Sequence, residues 1–358
     1  MQYLLPALSA FVLTLMGIVI ALHVFPKLGL LDRPKKYKLN RKPIPYPGGI
    51  LIYLVFTALA LIFFDPTFKL LGLLLGGGIL VIVSFIDDRI SLPPWLRLIV
   101  QFLVALIMVW VGIGVTHITN PFGGEIRLDQ FLVTLQVGNF SHVFLVLSAI
   151  FTVIWIMLLT NTMNWLDGIP GLVSGISVIG GLTLFFLSIS PLVNQPEIAT
   201  LSVIVACMAL AFWLFDFYPP KLLLGDSGAM FFGLLLAVLA IFSGGKIATA
   251  FLVLGFPVVD VIYVIGRRLA NKQAPWKGGE WDKKRKAVHL HHRLLQFGFS
   301  EQQTLILIYA LAIVFGGIAL LVGTQGKFRA IVAIAVLSFI LGIFLKPKRK
   351  GTIKKTKL

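Results

Sequence analysis

Long apolar runs alternate with short polar segments along the chain, and most of the runs are long enough to cross a membrane. A membrane-spanning helix needs about 20 mostly apolar residues. The pattern predicts an all-α integral membrane protein with about eleven spans, or ten if the shortest run is excluded. The runs are 4–25, 47–64, 69–86, 96–115, 143–160, 171–189, 198–215, 228–243, 247–266, 303–322 and 328–345. Residues 1–345 then form a single multi-pass domain, followed by a short tail at 346–358.

The composition excludes an ordinary soluble domain. Hydrophobic residues make up 58% of the chain and charged residues 13%, whereas soluble domains are nearer half apolar and about a quarter charged. The single cysteine, Cys207, lies inside a predicted span, so an intrachain disulfide is impossible. Packing is its expected role.

The distribution of the positive charges predicts the orientation in the membrane. The net charge is +17, and 26 of the 31 Lys and Arg residues lie in segments that face the same side if the spans alternate. Positive loops stay on the cytoplasmic side, so we expect the amino terminus outside and the carboxyl terminus inside. The basic tail is expected on anionic lipid headgroups, and nucleic acid is not an expected partner.

One external loop, 116–142, alternates apolar and polar residues around Gly123 and Gly124. This pattern predicts a small hairpin on the outer face. The remaining polar loops that carry candidate chemistry are predicted on the cytoplasmic face.

The segment VSFIDDRISLPPWLR ends an apolar run on two adjacent carboxylates, Asp87 and Asp88. Two like charges side by side repel each other, and oxygen ligands of this kind suit Mg²⁺. Simple capping of a membrane helix in solvent is the alternative interpretation.

Two further segments carry polar residues that could share this site. In NTMNWLDG, Asn161 and Asn164 are three residues apart and would share a helical face, with Asp167 and Gly168 following. In LLLGDSG, Asp226 lies on a small-residue turn before a helix, where it could be an N-cap or could bind a metal beside a phosphate.

Two other polar groups lie near the same predicted face. Asp260 is inside the ninth run, and we expect a structural ion pair or polar bridge with Arg267. The segment HLHHRLL contains His289, His291, His292 and Arg293, in which His289 and His292 would share a helical face. Zinc is one reading of this cluster, but a polyanionic ligand such as a pyrophosphate suits it better.

Taken together, these segments resemble the polyprenyl-phosphate N-acetylhexosamine-1-phosphate transferase family of membrane enzymes. The resemblance covers most of the chain, and the HLHHRLL form is more similar to the UDP-N-acetylglucosamine branch than to the muramoyl-pentapeptide branch. It rests on five motifs in the family's order, namely DRPKKYKLNRKPIPYPGG, DDRISLPPWLRLIVQ, NTMNWLDGIPGLVSG, PPKLLLGDSGAMFFG and HLHHRLLQFG.

The resemblance implies transfer of a sugar-1-phosphate from a UDP-N-acetylhexosamine to a polyprenyl phosphate, with release of UMP, at the plasma membrane. It implies Mg²⁺, with Mn²⁺ as an alternative, bound by Asp226, Asn164 and Asp87. Asp87, Asp88 and Asp226 match catalytic positions of the family. The resemblance also implies substrate-binding roles for Lys42, Arg97, Asn161, Asp167, Gly168, His289, His291, His292 and Arg293, and it leaves a homodimer open.

The resemblance leaves the chemical role of the paired aspartates open between deprotonating the lipid phosphate and assisting the metal. A phosphate monoester has a second pKa near 6, so the acceptor is already mostly dianionic at neutral pH. Positioning and charge neutralisation dominate phosphoryl transfer. We therefore expect metal binding and alignment to be the larger role of the three aspartates.

Ser91 and Pro170 depart from the family's usual motifs and leave the sugar donor and nucleobase recognition open. The muramoyl-pentapeptide transferase reaction is one alternative within the family. An ion-coupled transporter, a membrane prenyltransferase and an inactive lipid-binding relative are alternatives of other kinds.

Overall fold

A computed structural model describes residues 1–34, 41–137, 140–191, 193–243, 247–270 and 289–344. Within these residues the protein is mostly helical. The helices are α1 Leu4–Lys27, α2 Gly49–Phe63, α3 Phe68–Ile90, α4 Pro94–Trp110, α5 Val146–Leu166, α6 Leu172–Ile189, α7 Pro196–Asp216, α8 Gly225–Phe242, α9 Ile247–Val253, α10 Gly255–Ala270, α11 Leu290–Phe297, α12 Glu301–Leu321 and α13 Thr324–Phe344. The strands are β1 His117–Thr119, β2 Glu125–Arg127, β3 Leu132–Val137 and β4 Phe140–Leu145.

Every predicted apolar run falls on a helix, except that the ninth run is divided into α9 and α10, which meet at a bend of 83°. Among the described residues, seven helices are long and apolar enough to cross a membrane, or eight if α9 and α10 form one span. Helices α2 and α4 are apolar but shorter. The helical membrane architecture is therefore confirmed, while the number eleven stays a prediction. The basic tail at 346–358 lies outside the described residues.

The loop predicted as one hairpin contains two. Strands β1 and β2 pair antiparallel, with Ile118 opposite Ile126, and β3 pairs antiparallel with β4, with Leu132 opposite Leu145. The prediction of a single hairpin was wrong because Asp129 and its neighbours interrupt the alternation between the two pairs of strands. Both hairpins lie between α4 and α5, at the opposite end of these helices from the paired aspartates.

Helix α8 is the centre of the bundle. Every residue of this helix except Asp226 and Phe242 is buried, and the helix packs against α2, α3, α5, α6, α7 and α9. A helix that is apolar on all sides must lie inside a large helical protein or in lipid. Since α8 is enclosed by other helices, its axis is held in a fixed position in the bundle.

The loop before α2 is joined to the segment before α8 by backbone hydrogen bonds. Leu223 N–H donates to the carbonyl of Pro45 at 3.1 Å, and Gly48 N–H donates to the carbonyl of Leu223 at 2.8 Å. Gly49 N–H donates to the carbonyl of Leu224 at 3.1 Å. A Cβ atom at Gly49 would lie 2.2 Å from the backbone nitrogen of Gly228. Glycine at position 49 therefore permits the backbones of α2 and α8 to approach closely.

Gly49→Ala is expected to destabilise the protein, because the added methyl group overlaps the backbone of α8 and forces α2 away from it. Overpacking of this kind costs about 2 kcal/mol. The measurement is the thermal unfolding midpoint in detergent. Gly317→Ala is the matched control, because a Cβ at Gly317 in α12 meets nothing within 4 Å. A Gly49→Ala midpoint at or above that of Gly317→Ala would contradict the close-packing argument.

Candidate active site at one end of the helix bundle

Four helix ends bring most of the predicted carboxylates together. Asp87 and Asp88 lie in the last turn of α3, and Asp226 lies in the first turn of α8. Arg97 lies in the first turn of α4, and Asp167 follows the last residue of α5. These residues are far apart in the sequence, and packing of the helices against α8 places them in one cluster.

Arg97 connects two of the aspartates. Its Nη1 atom donates to Oδ2 of Asp87 at 2.9 Å and to Oδ2 of Asp226 at 3.1 Å. The other oxygen of Asp87 accepts the backbone N–H of Leu92 at 2.6 Å, which fixes the turn between α3 and α4. Two carboxylates from different helices therefore converge on a single positive charge.

Asp88 has a different set of contacts, since it accepts hydrogen bonds from the start of α8. The backbone N–H of Asp226 donates to it at 3.2 Å, and the hydroxyl of Ser227 donates to it at 3.2 Å. Helix α8 begins at Gly225, whose φ of +79° favours glycine, and Leu224 at its N-cap provides no side-chain cap. The N-cap interpretation of Asp226 was wrong, because Asp226 lies inside the first turn and Asp88 caps it from another helix.

Tyr46 is a site residue that the sequence analysis missed. Its hydroxyl donates to Oδ1 of Asp88 at 2.6 Å. Burial, followed by the negative charges of Asp88 and Asp226, raises the pKa of the Tyr46 phenol. The phenol therefore stays protonated and donates. The only sequence signal was its place in the proline-rich segment PIPYPGG.

The two predicted asparagines have different environments. The side chain of Asn161 is paired with that of Gln101, and its Nδ2 atom also donates to the carbonyl of Met157 at 2.8 Å. Asn164 lies beside the Asp226 carboxylate, and its side-chain amide is directed at that carboxylate. Asn161 is therefore occupied in a structural pair with Gln101, while Asn164 belongs to the acidic cluster. Gln101, a polar residue inside an apolar run, was also missed.

Negative charge is concentrated around Asp167. Burial raises the pKa of the Asp167 carboxyl well above its usual range, and the charges of Asp216, Asp226 and Asp88 raise it further. Asp216 itself accepts the N–H of Gly171 at 3.0 Å and the hydroxyl of Ser174 at 2.8 Å, so it holds the start of α6. A cluster of this kind favours binding of a cation.

The histidine segment lies against the turn that follows α5. His291 is buried, and its Nε2 atom lies 2.7 Å from the position that a Cβ at Gly168 would take. The ring of His291 is parallel to that of His289, with centroids 5.9 Å apart, and lies 4.1 Å from that of His292. The guanidinium of Arg293 lies 4.9 Å from the centre of the Tyr263 ring. His291 and His292 therefore lie against Gly168, the residue that follows Asp167.

Two predictions about this segment were wrong. His289 does not share a helical face with His292, because α11 begins at Leu290 and His289 is its N-cap with extended backbone. Asp260 is not paired with Arg267. Its carboxylate contacts Nδ1 of His289 at 2.8 Å and accepts the N–H of Leu290 at 3.0 Å. A polar bridge at Asp260 was expected, but the residues that Asp260 contacts lie at the start of α11.

Burial changes the charge expected of the histidines. The pKa of His291 is well below the usual value, mainly because the ring is buried and also because His292 and His289 lie close. Burial and the nearby His289 lower the pKa of His292 to about 4, although Asp260 opposes this shift. At neutral pH these two imidazoles are neutral hydrogen-bonding groups, so the fixed positive charge of the segment comes from its arginine.

The donor chemistry of the carboxylate cluster fits a hard divalent cation. Among the described residues, no three His, Cys, Asp or Glu side chains are arranged as a complete metal site. Asp87 and Asp226 nevertheless converge on one point of positive charge, and the Asn164 side chain, a neutral oxygen donor, lies beside Asp226. Lys42 is exposed, and none of its described contacts joins it to this cluster.

His292→Gln is expected to reduce the loss of stability in acid. The folded-state pKa of about 4 lies below the ordinary value of 6.5, so the unfolded chain binds the extra proton between these values. The neutral His292 therefore makes its full contribution to folding stability above about pH 6.5, and this contribution is lost as the pH falls toward about 4. The measurement is the unfolding midpoint over this range. His23→Gln, at an exposed histidine, should behave as the wild type, and equal slopes for His292→Gln and the wild type would contradict the assignment.

Comparison with known proteins supports the resemblance in the motifs. Residues 70–244 match the family described as glycosyl transferase family 4. The chain is 28% identical to the probable undecaprenyl-phosphate N-acetylglucosaminyl 1-phosphate transferase of Bacillus subtilis, over 94% of this chain and 89% of the relative. It is 25% identical to a decaprenyl-phosphate N-acetylglucosaminephosphotransferase of Mycolicibacterium smegmatis, over 91% and 84%. It is 26% identical to the undecaprenyl-phosphate alpha-N-acetylglucosaminyl 1-phosphate transferase of Escherichia coli, over 88% and 82%. These matches agree with the resemblance seen in the motifs, since residues 70–244 are similar to glycosyl transferase family 4 and most of the chain is similar to these transferases.

Proposed function

We propose that the protein transfers N-acetylglucosamine-1-phosphate from UDP-N-acetylglucosamine to a polyprenyl phosphate such as undecaprenyl phosphate, and releases UMP. The chain-long similarity to phosphotransferases of this name supports the substrate class. The structural observation that carries the proposal is the convergence of Asp87 and Asp226 on one positive charge. A carboxylate pair that can bind a cation, together with an arginine, suits two anionic substrates. Its place at one end of a membrane bundle suits a lipid as one of them.

The reaction takes place at the cytoplasmic face of the plasma membrane in this proposal. Helices α1, α3 and α10 end at the side where the cluster lies, and Lys27, Arg89, Arg267 and Arg268 lie in their last turns. This arrangement supports an amino terminus outside and a cytoplasmic site. A soluble nucleotide-sugar can then reach the cluster from the cytoplasm, while the lipid acceptor arrives from the bilayer.

The transfer is a single displacement at phosphorus. An oxygen of the lipid phosphate forms a bond to the phosphorus that carries the sugar. The bond from that phosphorus to the bridging oxygen breaks, and UMP leaves with the electron pair. The lipid phosphate is mostly dianionic at neutral pH, so no protein base has to remove a proton. The task of the site is to align two anions and to neutralise their charge.

Mg²⁺ is the proposed cofactor, and Asp87, Asp226 and Asn164 are the residues that would hold it. When bound, it would supply positive charge to the phosphate oxygens and help to align them. Arg97 adds a further positive charge beside the same two aspartates. Bringing this guanidinium and the phosphates together also neutralises the repulsion between the substrates.

The segment with His289, His291, His292 and Arg293 is proposed to contact the donor. The buried Nε2 atom of His291 has no hydrogen-bond partner, and it lies against Gly168 beside the acidic cluster. A neutral imidazole in this position can donate to or accept from a polar group of the nucleotide-sugar, according to its tautomer. Arg293 supplies the charge that a phosphate requires.

The test is nucleotide release by the purified protein with UDP-N-acetylglucosamine, undecaprenyl phosphate and Mg²⁺, with and without a chelator. UMP that depends on both the lipid and the metal is the expected result. Asp226→Asn should abolish this release because the amide cannot supply the negative charge. Asp129→Asn is the control, since it makes the same chemical change in an exposed residue between the hairpins.

Other outcomes of this assay overturn parts of the proposal. Release of UDP would identify transfer of the sugar without its phosphate. Absence of any nucleotide with this donor and with other UDP-N-acetylhexosamines would contradict the transferase function. Normal release by a folded Asp226→Asn protein would remove Asp226 from the metal site.

Arg97→Gln is expected to make the protein more dependent on divalent metal for stability. Loss of the guanidinium leaves Asp87 and Asp226 facing each other, which should cost about 1 kcal/mol after allowance for partial exposure. The unfolding midpoint should fall in chelator and recover in excess Mg²⁺, with a larger metal-induced rise than in the wild type. Arg127→Gln, which removes an exposed ion pair with Asp129, should show the wild-type response to Mg²⁺. Equal metal-induced rises of the unfolding midpoint in the wild type, Arg97→Gln and Arg127→Gln would show that the metal does not bind between Asp87 and Asp226 beside Arg97.

A further inference from the structure

Asp88 has its acceptor positions occupied by four donors from other parts of the chain. Oδ1 accepts the hydroxyl of Tyr46 at 2.6 Å and the N–H of Asp226 at 3.2 Å. Oδ2 accepts the hydroxyl of Ser227 at 3.2 Å and its N–H at 3.5 Å. A carboxylate offers about four lone-pair directions. Asp88 therefore has no acceptor position left for a substrate proton or a metal ion.

Tyr46 is held in place independently of Asp88. Its neighbours Pro45 and Gly48 are hydrogen-bonded to Leu223, in the segment that leads into α8. The Tyr46 ring also packs on Gly225, where an added Cβ would lie 2.8 Å from the ring. The hydroxyl is therefore fixed by backbone contacts on the first turn of α8, and it can fix Asp88 in turn.

The first turn of α8 depends on this contact because it has no side-chain cap of its own. The N–H groups of Asp226 and Ser227 point at Asp88, and Oδ2 of Asp226 lies 3.1 Å from Arg97. A small rotation of this turn would move the Asp226 carboxylate away from the shared point of positive charge. Catalysis is sensitive to displacements of this size.

We propose that Tyr46 is a positioning residue, whose hydroxyl locks Asp88 onto the first turn of α8 and so aims Asp226 at the phosphate site. Asp88 acts in the same way, through Asp226, and does not accept a proton from the lipid phosphate. The catalytic consequence rests on the proposed function, but the hydrogen-bonded clamp of Tyr46, Asp88 and Ser227 does not.

The first experiment compares Tyr46→Phe with Tyr53→Phe in the full-length protein. Both changes remove one tyrosyl hydroxyl from a hydrogen bond, and the Tyr53 hydroxyl donates to the carbonyl of Leu74 at 3.0 Å inside the bundle. Tyr46→Phe should lower kcat for UMP release about tenfold, because the lost bond is to a charged group, while the KM for UDP-N-acetylglucosamine changes little. Tyr53→Phe should leave kcat unchanged.

A second readout does not depend on activity. Amide hydrogen exchange should become faster in the peptide that contains Asp226 and Ser227 in Tyr46→Phe, and should stay at the wild-type rate in Tyr53→Phe. If the wild-type protein releases no UMP but Tyr46→Phe still exchanges faster than the wild type, the clamp is supported and the transferase function is refuted. Unchanged exchange in Tyr46→Phe, or an equal loss of kcat in both variants, would overturn the proposal.

Substitution of Asp88 separates its two possible roles. Asparagine caps a helix about as well as aspartate, because its amide oxygen can still accept from Tyr46 and from the Asp226 N–H while its Nδ2 donates to the Ser227 hydroxyl, whereas alanine accepts nothing. Asp88→Asn should therefore retain a substantial part of the wild-type kcat with an unchanged pH profile, and Asp88→Ala should lose most of it. If Asp88→Asn is as inactive as Asp88→Ala while its amide exchange stays normal, the charge of Asp88 itself is required and the positioning role is refuted.

Discussion

Helix N-termini inside a membrane protein need hydrogen-bond acceptors, because water is scarce and the first N–H groups have no partner in their own helix. Three of the helices that start at this end of the bundle, α6, α8 and α11, have no side-chain cap at their own N-cap residue. Each receives an aspartate from another helix instead. Asp88 serves α8, Asp216 serves α6 and Asp260 serves α11. Cross-helix capping is therefore the interaction that fixes the geometry of this end.

The same capping concentrates negative charge and creates the need for cations. Three of the aspartates are satisfied largely by N–H and hydroxyl donors, which add no full positive charge. Asp87 and Asp226 share the guanidinium of Arg97, and Asp167 lies among several other carboxylates with a raised pKa. Structural capping and the negative charge of the site thus lie in one cluster but on different aspartates. Binding of an anionic ligand there requires positive charge, which Arg97 supplies beside Asp87 and Asp226.

The sequence predicts the helices and the grouping of the polar loops well, because hydrophobic periodicity and the positive charges act locally. It does not predict the partners within the site. Tyr46 and Asp88 are 42 residues apart, and Gln101 and Asn161 are 60 apart. Which acceptor caps which helix depends on the packing, and a local rule for N-caps therefore could not show that Asp88, rather than Asp226, caps α8.

The adjacency of Asp87 and Asp88 explains why two neighbouring carboxylates have different partners. Successive residues on an α-helix point in directions about 100° apart. Asp87 is thereby directed to Arg97 on α4, and Asp88 to Tyr46 and the start of α8. A single helix end cannot direct both side chains to the same point without distortion. The pair is therefore better understood as two functions placed side by side, one electrostatic and one positional, than as a double ligand for one ion.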